Sequence, residues 1–312
     1  MVSSPTLLLP LYIYPTSLNT WAPLFNALTN TSSTSLVYTI IINPSDGPGS
    51  STYPDENYID AISNLNSPEE YSSFRTLGYV HTSTGTRDLS DVFSDIDRYA
   101  GWAGYSLADI HVDGIFFDEA PSDAASEEYM LQASEHARSA LSNISVDATN
   151  RTQKDTSSFV VYNPGVSVPS AYLDQANLVV QLENTYNAYN SSTFRDILSL
   201  GGGTSTAGNT SMILTNVPGD GATQGKIVQS AAEAGLGGLF LTTKSDYHEF
   251  PDLWEAFVDQ MANSSQASTI DKSAKSAAST SGRQGLWWAR ALLRGFKRGN
   301  GPSRRYRNRP EL

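Results

Sequence analysis

The sequence predicts a (β/α)8 barrel of the TIM type, a single α/β domain followed by a disordered basic C-terminal tail. Three observations predict it. Eight short, β-rich apolar runs recur within about the first 245 residues, the span such a barrel needs. Segments of helical spacing separate them, and strands alternating with helices mean βαβ units in a parallel sheet. Polar or aromatic side chains stand at the carboxyl end of run after run. A doubly wound open sheet is the rival, but no Gly-x-Gly-x-x-Gly turn follows the first strand.

The first strand, Leu7–Ile13, ends among Tyr12, Tyr14 and Pro15. The N-terminal run MVSSPTLLLPLYIYPTS lacks a basic n-region and its apolar residues alternate with Pro and Tyr, so it reads as a first strand rather than a secretion signal. The second strand, Leu36–Ile42, runs into the turn-rich loop NPSDGPG, which carries Asp46. Tyr58, Ile62 and Leu65 then recur at helical spacing, as do Val92, Ile96 and Tyr99 after the third strand, Thr76–His81. The fourth strand, Gly114–Asp118, delivers Asp118 and Glu119, and Pro121 marks its end. A helix holding Tyr129, Leu131 and Ala140 leads to the fifth strand, Phe159–Tyr162, with Asn163-Pro164-Gly165 behind it. The sixth, Leu178–Glu183, delivers Glu183 and Asn184. Met212–Asn216 and Gly238–Thr242 complete the eight, with helices over Ile227–Ala234 and Leu253–Met261.

Composition changes near Ser264, placing the domain at 1–263 and the tail at 264–312. A Ser/Ala-rich stretch without apolar periodicity predicts disorder. Within 286–298, Arg290, Arg294 and Lys297 share one helical face and Trp288, Leu292 and Phe296 another. This fits contact with a membrane surface or a partner helix. A tail without a role of its own is the alternative.

The net charge of −12 hides an asymmetry. The tail holds eleven of the 20 Lys/Arg and two of the 32 Asp/Glu, leaving nine basic and thirty acidic residues before it, a net of −21. Such a body excludes nucleic acid as its ligand and attracts a cationic one, unless its acids serve solubility alone. No cysteine is present, so disulfides and thiolate metal sites are excluded. No His-x-x-x-His spacing supports zinc, and no metal or cofactor is expected. No apolar run reaches the roughly 18 residues of a membrane span. Six Asn-x-Ser/Thr sequons, at Asn30, Asn143, Asn150, Asn190, Asn209 and Asn263, are of the kind a Ser/Thr-rich chain produces by chance.

Barrels place their sites at the carboxyl ends of strands. Two carboxylates facing a cleft, with aromatics beside them, suit the splitting of a glycosidic bond: one donates a proton to the leaving oxygen, the other stays ionised. Asp118 is assigned as nucleophile and Glu183 as general acid/base. Adjacent strand residues point oppositely, so Glu119 tunes charge or grips substrate instead. The structural alternative for the Asp118-Glu119 pair is a helix N-cap. Tyr12, Tyr14, Tyr79, Trp102 and Tyr162 are candidates for sugar stacking. His81, Asn163 and Asn184 are candidates for hydrogen bonding to substrate, as is His111, and Asp46 sits in a loop that shapes a cleft.

The runs LLLPLYIYP, IIINPSDGPG, GYVHT, VDGIFFDEAP, VVYNPG and VVQLEN, in this order over about residues 6–260, resemble the spherulin-4 family (spherulation-specific family 4), in particular the fungal endo-α-1,4-N-acetylgalactosaminidases of glycoside hydrolase family 135. The resemblance implies a (β/α)8 barrel and endo hydrolysis of galactosaminogalactan, a partly deacetylated, cationic exopolysaccharide. It implies that the family's acidic constellation falls on Asp118, Glu119 and Glu183. It also implies secretion or a place at the cell surface, whereas the lack of a leader points to the cytoplasm. A catalytically silent carbohydrate-binding or developmental cell-surface protein on the same barrel is the alternative.

Overall fold

The computed structural model describes residues 4–67, 71, 73–142, 158–189 and 207–265. The tail, and with it the expected amphipathic segment 286–298, lies outside the described residues. Eight strands are present: β1 (Thr6–Leu11), β2 (Tyr38–Ile42), β3 (Phe74–His81), β4 (Gly114–Asp118), β5 (Phe159–Tyr162), β6 (Leu178–Thr185), β7 (Thr210–Thr215) and β8 (Gly238–Leu241). Each is parallel to the next, and β8 pairs back onto β1 through Leu7 and Leu239, closing the barrel. The expected fold class and all eight strands are therefore present, with ends differing by at most two residues.

Helices fill the connections, among them Glu56–Asn66, Leu89–Gly101, Glu127–Leu141 and Gly221–Ala234. Asp55 and Asp220 cap two of them, accepting from Tyr58 N and Thr223 N, as short acidic side chains do at helix starts. Gly235, at φ 74°, closes the helix Gly221–Ala234 in the left-handed conformation that suits glycine. A helix not foreseen, Ala22–Asn30, buries Leu24, Ala27 and Leu28 at spacings of three and one. Among the described residues no helix is long and apolar enough to cross a membrane.

Side-chain alternation divides each strand between two layers. Inside the barrel Tyr79 stacks on Phe116, ring centroids 6.3 Å apart. Outside it Phe117 meets Tyr162 edge-on, against the helix Glu127–Leu141. Burying Phe116 and Phe117 contributes roughly 2–3 kcal/mol each, which anchors a strand that must end in a partly desolvated acid. Glycine permits two close approaches around β3 and β4. A Cβ on Gly114 would meet Phe159 O at 1.8 Å, and one on Gly78 would meet the Tyr99 ring at 2.6 Å. Across that gap Tyr99 donates its hydroxyl to Ile42 O, tying the helix Leu89–Gly101 to β2.

One irregularity bears on function. Between β6 and β7 the register runs Val180↔Ser211 and then Leu182↔Met212, leaving Gln181 as an extra, bulged residue. Strict alternation from Val180, which shares the inner face with Ser211, would turn Glu183 outward. The bulge resets the count and places Glu183 level with Ile213, on the inner face.

Candidate active site

Asp118 lies on the inner face with Gly114 and Phe116 and pairs in register with His81. The strand stops there because Glu119 adopts φ 49°, a left-handed conformation that costs a residue with a side chain on the order of 1–2 kcal/mol. Thr82 offsets this by donating its hydroxyl to Glu119 O at 2.8 Å, and Thr84 N donates to the same carbonyl at 2.8 Å. The reversal points the Glu119 backbone N–H back at the Asp118 carboxylate. The Glu119 side chain itself is exposed.

Glu183 reaches the same space from β6. Its backbone N donates to Gly165 O, which fixes it beside the turn after β5. That turn carries Asn163, whose extended backbone Pro164 enforces and whose N and O pair with Phe117 O and Ala120 N. Asn163 Nδ2 donates to Asp118 Oδ1 at 2.7 Å and to Glu183 Oε2 at 2.5 Å. Sharing one nitrogen, those two oxygens lie no more than about 5.2 Å apart.

Three tyrosines complete the mouth. Tyr79 bonds through its hydroxyl to Asp118, Tyr247 donates to Glu183 Oε1 at 2.5 Å, and Tyr12 packs edge-on against both rings, at 5.5 and 5.6 Å. Burial pushes both carboxyls above the usual carboxylate range. For Asp118 the Tyr79 hydroxyl, the Glu119 N–H and the Asn163 amide pull back, and Asp46 adds to the rise. For Glu183, Tyr247 and Asn163 pull back while Asp118 adds to the rise. Burial and the neighbouring carboxylates hold Tyr12, Tyr79 and Tyr247 far above the normal phenol range, so all three remain hydroxyl donors.

At the rim Asp46 is largely exposed, at φ 51°, and its Oδ2 stands 3.9 Å from His81 Nε2. Its loop is held from below: Arg98 donates to Gly49 O, and Asp95 takes both Arg98 and Arg87. Tyr14 is exposed, its hydroxyl donating to Asp55 Oδ2 and accepting from Asn57.

Five candidates are placed otherwise than expected. Tyr162 is fully buried on the outer face of β5 and donates to Met130 O, so it cannot stack on a ligand in the mouth. Trp102 is likewise fully buried, packed on Tyr99. Asn184 stands on the opposite face from Glu183, exposed, its Oδ1 accepting from Thr185 N. Asn163 does reach the mouth, but its amide binds the two carboxylates rather than open space. His111, also weighed as a ligand group, is buried at the other end of β4 with Asp109 and Asp113 beside it. Sequence reasoning missed Tyr247, which lies on the irregular segment after β8. Among the described residues no group of three or more His, Cys, Asp or Glu is disposed to hold a metal ion.

Comparison with known proteins agrees with this architecture. The model of a family described as spherulation-specific family 4 matches residues 6–261. Spherulin-4 of Physarum polycephalum is 31% identical over 179 residues, 57% of this chain and 44% of that protein. The match thus spans less than half the length of this curated relative. The crystal structure of Aspergillus clavatus Sph3 in complex with GalNAc is 29% identical, with a TM-score of 0.70 over 83% of this chain and 98% of that one.

Proposed function

The chain belongs to spherulation-specific family 4, and on that premise we propose that it is a glycoside hydrolase working through Asp118 and Glu183. The observation that carries this reading is the single amide of Asn163 bonded to two largely buried carboxyl groups at the barrel mouth. A gap of no more than about 5.2 Å between the bonded oxygens favours the retaining arrangement, near 5–5.5 Å, over the inverting one, near 6.5–9.5 Å.

In this mechanism Asp118 attacks the anomeric carbon while Glu183 gives its proton to the departing glycosidic oxygen. Glu183, now ionised, then takes a proton from water, which displaces Asp118 and releases the sugar. The donors support this division of labour. We assign the proton to Glu183 because Asp118 accepts from the Tyr79 hydroxyl, the Glu119 N–H and the Asn163 amide, a set of donors that favours its ionised form.

The substrate we propose is an α-1,4-linked polymer containing N-acetylgalactosamine and galactosamine, cut internally. Sph3 crystallised with GalNAc supports the sugar. The exposed acids Asp46 and Glu119 at the mouth, and the acidic chain before residue 264, support a partly cationic polymer. We assign the catalytic domain to 1–263. Tyr12, Tyr14, Asp46 and His81 are assigned to the substrate side of the cleft.

The test is release of reducing ends from purified galactosaminogalactan, with acetylated chitin as control. Asp118→Asn and Glu183→Gln are each expected to lose on the order of 10²–10⁴ in rate. Full activity in both variants overturns the assignment, and tight polymer binding without turnover by the native chain identifies a silent binding barrel instead.

A further inference from the structure

Asn163 has the surroundings of a structural strut. It is 5% exposed, its amide hydrogens go to the two acids, and its Oδ1 is buried without a hydrogen-bond partner. A buried carbonyl left so costs about 1–3 kcal/mol. Flipping the amide would set that oxygen against both carboxyl groups, so the acids themselves dictate its orientation. Pro164 and the backbone bonds to Phe117 and Ala120 keep it in place.

We infer that Asn163 is a spacer, a positioning residue whose NH2 group stands between Asp118 and Glu183 and prevents them from closing onto a single shared proton. The inference rests on the reading of these acids as nucleophile and proton donor. Two buried carboxyls holding one proton between them are drawn into a direct O–H···O contact of about 2.5–2.7 Å. In that state neither faces a sugar, and the gap for the anomeric carbon is lost. The two hydrogens of an amide nitrogen diverge by about 120°, so one can reach each acid while the nitrogen fills the space between.

The spacer also chooses the oxygen that carries the proton. An NH2 group only donates, so Asp118 Oδ1 and Glu183 Oε2 are fixed as acceptors. The Glu183 proton therefore falls on Oε1, opposite Tyr247, whose hydroxyl can donate to the anion or accept from the acid. The other groups facing the pair are Tyr12 from β1, Asp46 after β2, Tyr79 and His81 from β3, and the Glu119 N–H. Among the described residues none of these bonds to both acids.

Carboxyl ¹³C titration of the folded protein without substrate, in the native chain, Asn163→Ala and Asn163→Asp, tests the inference. In Asn163→Ala the two apparent pKa values of the pair are expected to separate by more than about one unit beyond the native spacing, both resonances moving in each step. Asn163→Asp, nearly isosteric, keeps one hydrogen at most and is expected to bridge only at acid pH, where its own carboxyl is protonated. Native-like titration of the pair in either folded variant overturns the spacer. Since no turnover is measured, this result is independent of the proposed hydrolysis, which fails separately if the native chain cleaves no polymer. Where it does cleave, Asn163→Ala is expected to lose at least about 10²-fold in kcat with KM within a few fold.

Discussion

Tyr247 donates its hydroxyl to Glu183 Oε1 at 2.5 Å, joining residues 64 positions apart. Tyr79 does the same for Asp118, and the Tyr12 ring braces both tyrosines from between. Each acid thus has its own phenol, and on the roles proposed for the acids the two phenols are expected to act on opposite limbs of the pH profile.

Tyr247→Phe removes a donor that favours ionised Glu183, so the Glu183 pKa rises. The protonated acid then persists to higher pH, and the alkaline limb of kcat/KM moves upward. The loss of a bond to a charged group, about 1.5–3 kcal/mol, sets a rate reduction of roughly ten- to a hundredfold. A pH–rate profile checks this; an unmoved alkaline limb counts against Glu183 as the acid.

Tyr79→Phe has the opposite consequence. Asp118 loses a donor to its anion, its pKa rises, and more acid must be neutralised before the nucleophile is ionised. The acid limb moves up and the active range narrows. If the alkaline limb moves instead, the roles of the two acids are reversed.

The raised carboxyls also make stability depend on pH. Both folded values lie above the unfolded ones, about 3.9 and 4.3, so the folded state holds protons that the unfolded chain has released. Their contribution is full below the unfolded values and is lost as pH rises through the folded ones. Relative to the native chain, Asp118→Asn/Glu183→Gln is therefore expected to gain stability as pH rises from about 3.5 to about 7. Urea denaturation across that range measures it, and a pH-independent difference refutes it.

Tyr162→Phe separates the corrected placement from the one expected. With its hydroxyl bonded to Met130 O in the outer layer, its loss costs about 1 kcal/mol of stability and leaves turnover unchanged. A large rise in KM would return Tyr162 to the cleft.

The strands were legible because each is a short apolar run closed by polar or turn residues, and Asp118 was legible because GIFFD ends one of them. Tyr162 was misplaced although the signal was present. With Asn163 facing inward, alternation sends its neighbour outward, where it pairs with Phe117. Glu183 was reached from its place at a strand end, yet alternation alone would have turned it away, because no residue type announces a bulge. Tyr247 lies on an irregular segment without period, and only the closed barrel brings it to Glu183.

The bulge at Gln181 makes function a matter of parity. Each strand must supply a whole number of residues, and β6 supplies one more than its ladder requires. Deleting that residue would leave eight strands and a closed sheet but rotate Glu183 into the outer layer. Asn163 and Tyr247 would then donate into empty space. A barrel that folds and a barrel that brings its two acids together thus differ here by a single unit of length, a vulnerability that no substitution scan of the strand would reveal.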